Sequence, residues 1–198
     1  MIPRHLLIGI AIMLAAALAM SAYVWRMRGR VAAVEPAADT RPLAPPVSGL
    51  MEPVTLYVAD DQTGSLRVEG ASIPLPSDRQ QRAEELLRAL LGIYLDKSSP
   101  HPLPPASEVR AIYLVDPGLA VIDLNAVFAD AHRSGVLEEE LTVTSLIQTL
   151  AANIPGILRV KILVDGKERT TLAGHADLSN LYDVAAVTRF VAQVQAAP

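Results

Sequence analysis

The chain of 198 residues contains no cysteine. It therefore forms no disulfide, and it offers no thiolate ligand to a metal, no cysteine nucleophile and no attachment cysteine for a lipid. The absence of cysteine does not identify the cellular compartment.

The part of the chain after residue 50, which is expected to fold, carries more acidic than basic residues. The whole chain carries a net charge of −4. Residues 1–50 hold five arginines and two acidic residues, which leaves a charge of −7 on the remainder. Because neutralising phosphates requires clustered lysine and arginine, we exclude nucleic acid as a partner.

Known catalytic motifs are missing as well. The sequence contains no G-x-S-x-G, H-E-x-x-H, Walker A or G-x-G-x-x-G pattern. His132, close to the glutamates at 138–140, and His175, close to Asp177, could supply metal ligands, but no spacing constrains them. We interpret His101, in a proline-rich loop, as a solvated side chain. The sequence therefore predicts no enzymatic activity, no metal, no cofactor and no small-molecule substrate.

A long apolar run lies near the amino terminus. Residues 6–24 carry no charge, and as a helix they would span about 28 Å, close to the thickness of a bilayer core. We predict a transmembrane anchor over residues 6–25, preceded by a short tail, 1–5. A cleavable signal peptide is the alternative, because Ala17-Leu18-Ala19 fits the small-x-small cleavage pattern.

The residues after the apolar run bear on its orientation. Arg26, Arg28 and Arg30 follow it, whereas Arg4 and the amino terminus precede it. Taken alone, the positive-inside rule then favours a cytoplasmic C-terminal domain. Residues 26–53 are rich in proline and alanine, which predicts a semi-extended tether, with a proline-rich recognition motif as the alternative.

From Val54 onward the hydrophobic pattern switches between strand and helix periods. It predicts strands over residues 54–59, 66–73, 109–115, 119–124, 157–164 and 167–172, and helices that begin at Ser77, Gly135 and Val184. Ser77 and Gln80 have the spacing of a capping box, and Asp116-Pro117-Gly118 is typical of a hairpin turn. The strand at 157–164 is the most apolar, which predicts a central position.

The helix that begins at Gly135 carries an acidic first turn and an apolar stripe. Glutamates at 138–140 suit the positive end of the helix dipole, so we expect a structural role for them. Residues Val143, Leu146, Ile147, Leu150 and Ile154 form the predicted buried face. Pro155 and Gly156 end the helix, and Asp165-Gly166 is the signal of a type I′ hairpin turn.

Three stretches of the chain resemble the GerMN domain, the sporulation and spore germination module. They are AVIDLN at 120–125, EEELTVTSLIQTLAANIPGILRVKILVDGK at 138–167, and LAGHADLS at 172–179. The resemblance covers residues 54–179 and leaves 180–198 as an amphipathic C-terminal helix and tail. It implies an α+β fold, a two-layer mixed β-sheet with two helices packed on one face, in addition to the predicted N-terminal transmembrane helix.

The resemblance brings no catalytic or cofactor residue. The motif positions are Asp123, Asp165, Gly166, Gly174, His175 and Asp177, which we expect to hold the fold first and to form an interface second. It also implies a domain displayed outside the cytoplasmic membrane, and we follow it against the arginine count.

We therefore expect a single-pass inner-membrane protein that acts as a non-enzymatic interaction or scaffolding module of the cell envelope. Its expected partners are the inner membrane, other envelope proteins and further copies of itself. An envelope ligand-binding or sensor domain is the alternative, followed by a hydrolase whose site the sequence does not reveal.

Overall fold

The computed structural model describes residues 50–74 and 78–196, together with the single positions Met13 and Ser21. All of the helices and strands below lie in the compact unit that begins at Pro46.

The predicted anchor over residues 6–25 falls outside the described residues, apart from two single positions within it. In the part of the chain that the structure describes, no helix has both the length and the apolar character needed to cross a membrane. The predicted tether, 26–53, is also outside, except that its last residues already belong to the first strand, which begins at Met51.

Six strands and four helices make up the described part of the chain. The strands are β1 (Met51–Asp60), β2 (Ser65–Pro74), β3 (Val109–Val115), β4 (Leu119–Leu124), β5 (Arg159–Val164) and β6 (Tyr182–Asp183). The helices are α1 (Arg79–Tyr94), α2 (Ala126–Asp130), α3 (Val136–Asn153) and α4 (Val184–Ala196). This composition confirms the predicted α+β class.

The strands divide between two sheets instead of forming the single mixed sheet that we predicted. β1 and β2 form an antiparallel pair, whereas the other four strands follow the order β3-β4-β5-β6. Within the larger sheet β4 and β5 are parallel, and the outer pairs are antiparallel. β5 therefore has a neighbour on each side, which confirms its predicted interior position.

Helix α3 is buried on every side over most of its length. All residues from 141 to 150 are buried, including Thr142, Ser145 and Thr149. The predicted apolar face is confirmed, but the opposite face, which is polar in sequence, is enclosed as well. A polar face in that position needs hydrogen-bond partners inside the protein.

Side chains of α3 find those partners on the free edge of β1. The Thr55 amide donates to Asn153 Oδ1 at 3.0 Å, and Asn153 Nδ2 donates to the Thr55 carbonyl at 2.6 Å. The Tyr57 amide donates to Thr149 Oγ1 at 3.0 Å. The side chains thus occupy the strand edge at which another strand would otherwise pair, and this keeps the two sheets separate.

Tyr94, the last residue of α1, extends the same arrangement. Its hydroxyl accepts the Ala59 amide at 2.8 Å and donates to Ser145 Oγ on α3 at 2.7 Å. Burial raises the pKa of Tyr94 to about 12, although these hydrogen bonds act against the shift. The phenol therefore stays a neutral link between α1, α3 and β1.

The start of α1 differs by one residue from the prediction. The N-cap is Asp78, whose Oδ1 accepts the Gln81 amide at 2.8 Å; Ser77 itself lies outside the described residues. Gln80, predicted to close a capping box, instead donates to the Ile112 carbonyl and accepts the Leu114 amide at 3.3 Å. Its amide therefore covers the outer edge of β3.

The chain after β5 does not form the strand predicted over residues 167–172. Asp165 (φ 50°) and Gly166 (φ 70°) make the predicted tight turn, since both carry positive φ. Beyond the turn, however, only a single bridge between Val164 and Lys167 continues the hairpin. The segment that follows is held instead by Glu139, as described below.

Helix α4, predicted from its apolar spacing, packs against the domain. Val187 and Val191 are buried, and Gln195 Nε2 donates to the Leu66 carbonyl on β2 at 2.9 Å. Phe190 remains partly exposed beside a shallow apolar groove between α3 and α4.

The edge contacts predict a measurable stability effect. Replacing Asn153 by alanine should lower the free energy of unfolding by about 1–3 kcal/mol, because both backbone groups of Thr55 lose their partner. Urea unfolding followed by circular dichroism measures this. The matched control is Gln62→Ala, which removes an exposed amide. Equal stability of the two variants would show that the edge contacts are dispensable.

Candidate functional site

Three of the six predicted motif residues meet where β4 and β5 end. Asp123 is buried, and its Oδ1 accepts the Gly166 amide at 2.7 Å. The Asp165 amide donates to the Leu124 carbonyl at 2.8 Å. The carboxylate on β4 thus fixes the tight turn that follows β5.

Arg110 on β3 completes this first cluster. Its Nη1 lies 3.4 Å from Asp123 Oδ2 and 3.5 Å from Asp165 Oδ1. Asp165 Oδ1 also accepts the Ala126 amide, at 3.2 Å, in the first turn of α2. The acidic pair is therefore engaged in joining three strands to a helix, which is a structural use.

The other three motif residues lie in the loop that crosses the start of α3. Glu139 has no exposed surface, and its Oε2 accepts the amides of Ala173 at 2.9 Å, His175 at 2.9 Å and Ala176 at 3.0 Å. His175 Nδ1 lies 2.9 Å from Glu139 Oε1. Gly174, with φ +129°, supplies a backbone conformation that side chains rarely adopt.

This set of donors determines the charge of Glu139. Burial raises the pKa of the carboxyl, but the hydrogen bonds from His175 and from the three loop amides outweigh it and bring the pKa to about 2. Glu139 is therefore an ionised carboxylate at neutral pH, and the amides of the loop surround it.

Asp177, the last motif residue, organises the end of the same loop. It accepts the Ser179 amide at 2.8 Å and Asn180 Nδ2 at 2.9 Å. Hydrogen bonding from Ser179 lowers the pKa of this exposed carboxyl. Among the described residues no hydrogen bond or ion pair joins this loop to the Asp123 cluster, so the predicted residues form two separate groups.

A third cluster, around His101, was not predicted. We interpreted His101 as solvated, and this was wrong, because the ring is 1 % exposed. His101 Nδ1 lies 2.5 Å from Asp61 Oδ1, and its Nε2 lies 2.6 Å from Thr142 Oγ1. The proline-rich loop folds back over α3 and carries the histidine inside.

His132 approaches the same threonine from the other side. Its Nε2 lies 2.8 Å from Thr142 Oγ1 and its Nδ1 lies 2.7 Å from the Arg133 carbonyl. Phe128 stacks on the ring, with centroids 6.3 Å apart. Burial lowers the pKa of both histidines, and at His101 the Asp61 carboxylate acts in the opposite direction.

The order of contacts from Asp61 through His101 to Thr142 matches that of a catalytic triad. A substrate cannot reach the threonine, however, because Thr142 lies within α3 and is 0 % exposed. A nucleophile must come within about 3–3.5 Å of a substrate carbon, which the enclosed hydroxyl cannot do without opening the fold. The hydroxyl also donates to the Glu138 carbonyl at 3.0 Å, a structural bond within the helix.

The described part of the chain contains no assembled set of metal ligands. Over these residues no group of three histidines and acids is placed to hold an ion. His132 faces Thr142 and His175 faces Glu139, so the two candidate ligands belong to different clusters.

The ionised Glu139 predicts acid sensitivity. Its pKa lies below the ordinary 4.5, so its stabilisation is complete above pH 4.5 and is lost as the pH falls toward 2. The shift corresponds to about 3 kcal/mol. Glu139→Gln should therefore be less stable at pH 7 by up to that amount, and should lose less on acidification, in urea unfolding at several pH values.

Glu138→Gln, one position earlier in the same helix, is the matched control and should keep the pH response of the unchanged protein. The same acid sensitivity in Glu139→Gln as in the unchanged protein would mean that other groups cause it.

Comparison with known proteins gives the context of these clusters. The family described as Germane, sporulation and spore germination, matches residues 55–170, more than half of the chain. This range includes the larger part of β1, all of β2 to β5, the His101 cluster and Glu139. No curated protein matches the chain.

Solved structures resemble the domain at low sequence identity. The tandem GerMN domains of the sporulation protein GerM from Bacillus subtilis are 19 % identical, with a TM-score of 0.52; the match covers 68 % of this chain and 46 % of that one. The first GerMN domain of the same protein is 20 % identical over 64 % of this chain and 92 % of that one, with a TM-score of 0.43. A Clostridium perfringens protein described as a lipoprotein is 22 % identical over 71 % and 92 %, with a TM-score of 0.45.

The family match confirms the resemblance expected from the strand-helix-strand stretch around α3. It spans more than half of the sequence and includes the helix on which the clusters around Glu139 and Thr142 depend. The chain belongs to the Germane family of sporulation and spore germination domains.

Proposed function

We propose that the protein is a membrane-attached, non-enzymatic docking module of the cell envelope, with its folded domain on the outer side of the cytoplasmic membrane. One observation carries the proposal. Glu139, His101 and Thr142, which are three of the side chains able to do chemistry, are enclosed and bonded to one another or to the backbone.

Surface features support docking instead. Tyr113 and Val115 on β3 are 52 % and 47 % exposed, on the face of the sheet opposite the buried Ile112. Phe190 on α4 and Leu137 on α3 border the apolar groove between these helices. Exposed apolar side chains on a rigid sheet and helix pair are typical of surfaces that contact other proteins.

The membrane part of the proposal rests on the sequence. The uncharged run over residues 6–24 has the length of a membrane span, and the tether after it separates the span from the folded domain. Family membership favours the outer side, whereas the arginine count favours the inner side. The side of the membrane on which the folded domain lies therefore needs a direct test, and we expect the outer side.

Labelling of single cysteines tests the topology, because the natural chain has none. Ser48→Cys, in the tether, should react with a membrane-impermeant thiol reagent in intact cells after any outer membrane has been permeabilised. Ile2→Cys, before the apolar run, is the matched control and should react only after lysis. The reverse pattern would place the domain in the cytoplasm and contradict the proposal.

Site-specific photo-crosslinking tests docking itself. A photoreactive residue at Tyr113 or at Phe190 should give discrete adducts with other envelope proteins in living cells. Lys97, in an exposed turn, is the control position and should give none. Absence of adducts from both apolar positions, with the protein folded and present in the membrane, would argue against docking.

A further inference from the structure

The outer edge of β2 is an open strand edge. The amides of Thr55, Tyr57 and Ala59 on β1 bond side chains of α3 and α1, so these residues direct their backbone groups away from β2. In an antiparallel pair, residues directly opposite each other share this direction. Their partners are Gly70, Val68 and Leu66, respectively. Those three residues of β2 therefore direct their amides and carbonyls outward, on the side opposite β1.

Only one end of this edge is occupied in the described structure. The Leu66 carbonyl accepts Gln195 Nε2 from α4 at 2.9 Å. No described group bonds the outward amide or carbonyl of Val68 or Gly70, and Val68 is 60 % exposed. β1 and β3, by contrast, have side chains on their outer edges, and β6, the remaining edge strand, has only two residues. Among the described strands this leaves β2 with the long open edge.

The charges beside Val68 specify what kind of strand fits. Arg67 and Glu69 flank it on one face of the sheet, with side chains 49 % and 40 % exposed. Within one copy Arg67 Nη2 lies 3.3 Å from Glu69 Oε1, and Arg67 Nε lies 3.3 Å from Asp60 Oδ2. When a strand pairs with a copy of itself about a two-fold axis, the residues flanking the central one exchange places across the axis. Flanking charges of opposite sign then attract, whereas equal signs would repel.

We propose that a second copy of the chain docks on this edge, antiparallel, with the two-fold axis at Val68. The Val68 amide and carbonyl of each copy bond those of the other. Arg67 of each copy faces Glu69 of its partner, so the Arg67–Glu69 pair within each copy is exchanged for two reciprocal ion pairs across the axis. The two β1–β2 pairs become one four-stranded sheet. This extends the proposed docking role and rests on it, with the chain itself as one of the partners.

Gln195 limits the strength of this contact. In the register centred at Val68, the Gly70 amide of one copy meets the Leu66 carbonyl of the other, which Gln195 already occupies. The Gln195 amide therefore competes with the Gly70 amide for this carbonyl, and removing it should strengthen the dimer.

Disulfide trapping in the full-length protein in its membrane tests the register, since no natural cysteine interferes. Hydrogen-bonded antiparallel partners lie about 5.5 Å apart between Cα atoms, within the range that a disulfide spans. Val68→Cys should form a disulfide dimer on mild oxidation at least about fivefold faster than Ser72→Cys, its matched control on the same strand. Adding Gln195→Ala to Val68→Cys should increase the rate further.

Charge reversal in the Val68→Cys protein tests the ion pairs. Glu69→Arg should abolish the dimer, because arginines then face each other. Arg67→Glu together with Glu69→Arg should restore it, because opposite charges again meet across the axis. Protease resistance shows whether each variant is folded. If a charge variant unfolds, the comparison of Val68→Cys with Ser72→Cys decides whether the dimer forms at this edge.

Equal trapping at Val68 and Ser72, or a dimer unaffected by Glu69→Arg, would overturn the inference. Either result leaves the photo-crosslinks from Tyr113 and Phe190 untouched, because those positions lie on other elements. Failure of those crosslinks with successful trapping at Val68 would instead leave self-association and remove the wider docking role.

Discussion

The fold depends on a helix that is buried on all sides while carrying a polar stripe. Glu139, Thr142, Ser145, Thr149 and Asn153 succeed one another along α3 at intervals of three or four residues, so they share one face. Each enclosed polar group needs a hydrogen-bond partner, and successive side chains of the stripe bond different parts of the domain. In order these are the loop at 173–176, the two histidines, Tyr94 and the edge of β1.

This stripe also explains why the architecture has two sheets. A strand edge is closed by another strand or by side chains that reproduce its hydrogen bonds. On β1 the donors and acceptors of Asn153 and Thr149 take that place, and on β3 the amide of Gln80 does so. Side-chain closure needs less chain than an extra strand, and it joins α3 directly to the edge of β1.

Features set by local chemistry could be predicted from the sequence. The hairpin at Asp116-Pro117-Gly118, the end of α3 at Pro155-Gly156 and the turn at Asp165-Gly166 all depend on residues next to one another. The family resemblance was visible for the same reason, because it lies in a continuous strand-helix-strand stretch.

Features set by distant contacts could not be predicted. His101 is 40 positions from Asp61 and 41 from Thr142, so no spacing marks it as buried. Two sheets instead of one follow from where the polar face of α3 points, which the hydrophobic pattern leaves open. For the candidate sites, the sequence named His175 and Asp123 but not the carboxylate of Glu139 that gathers the loop, or Arg110 beside Asp123. The exact start of a helix is also hard to predict when two neighbouring residues can both serve as N-cap, as Ser77 and Asp78 can. The structure has Asp78 in that position.

The placement of polar chemistry bears on the role that we propose. A catalytic group must reach its substrate, and holding it enclosed with every bond made gives up that access. The same bonds hold the loops at 95–108 and 173–178 in one conformation around α3. A body fixed in this way loses little conformational entropy when it meets a partner, so more of the contact energy is retained as affinity. The internal polar network around α3 therefore supports the proposed docking role, in which the domain would present its surfaces and its open strand edge in a constant geometry.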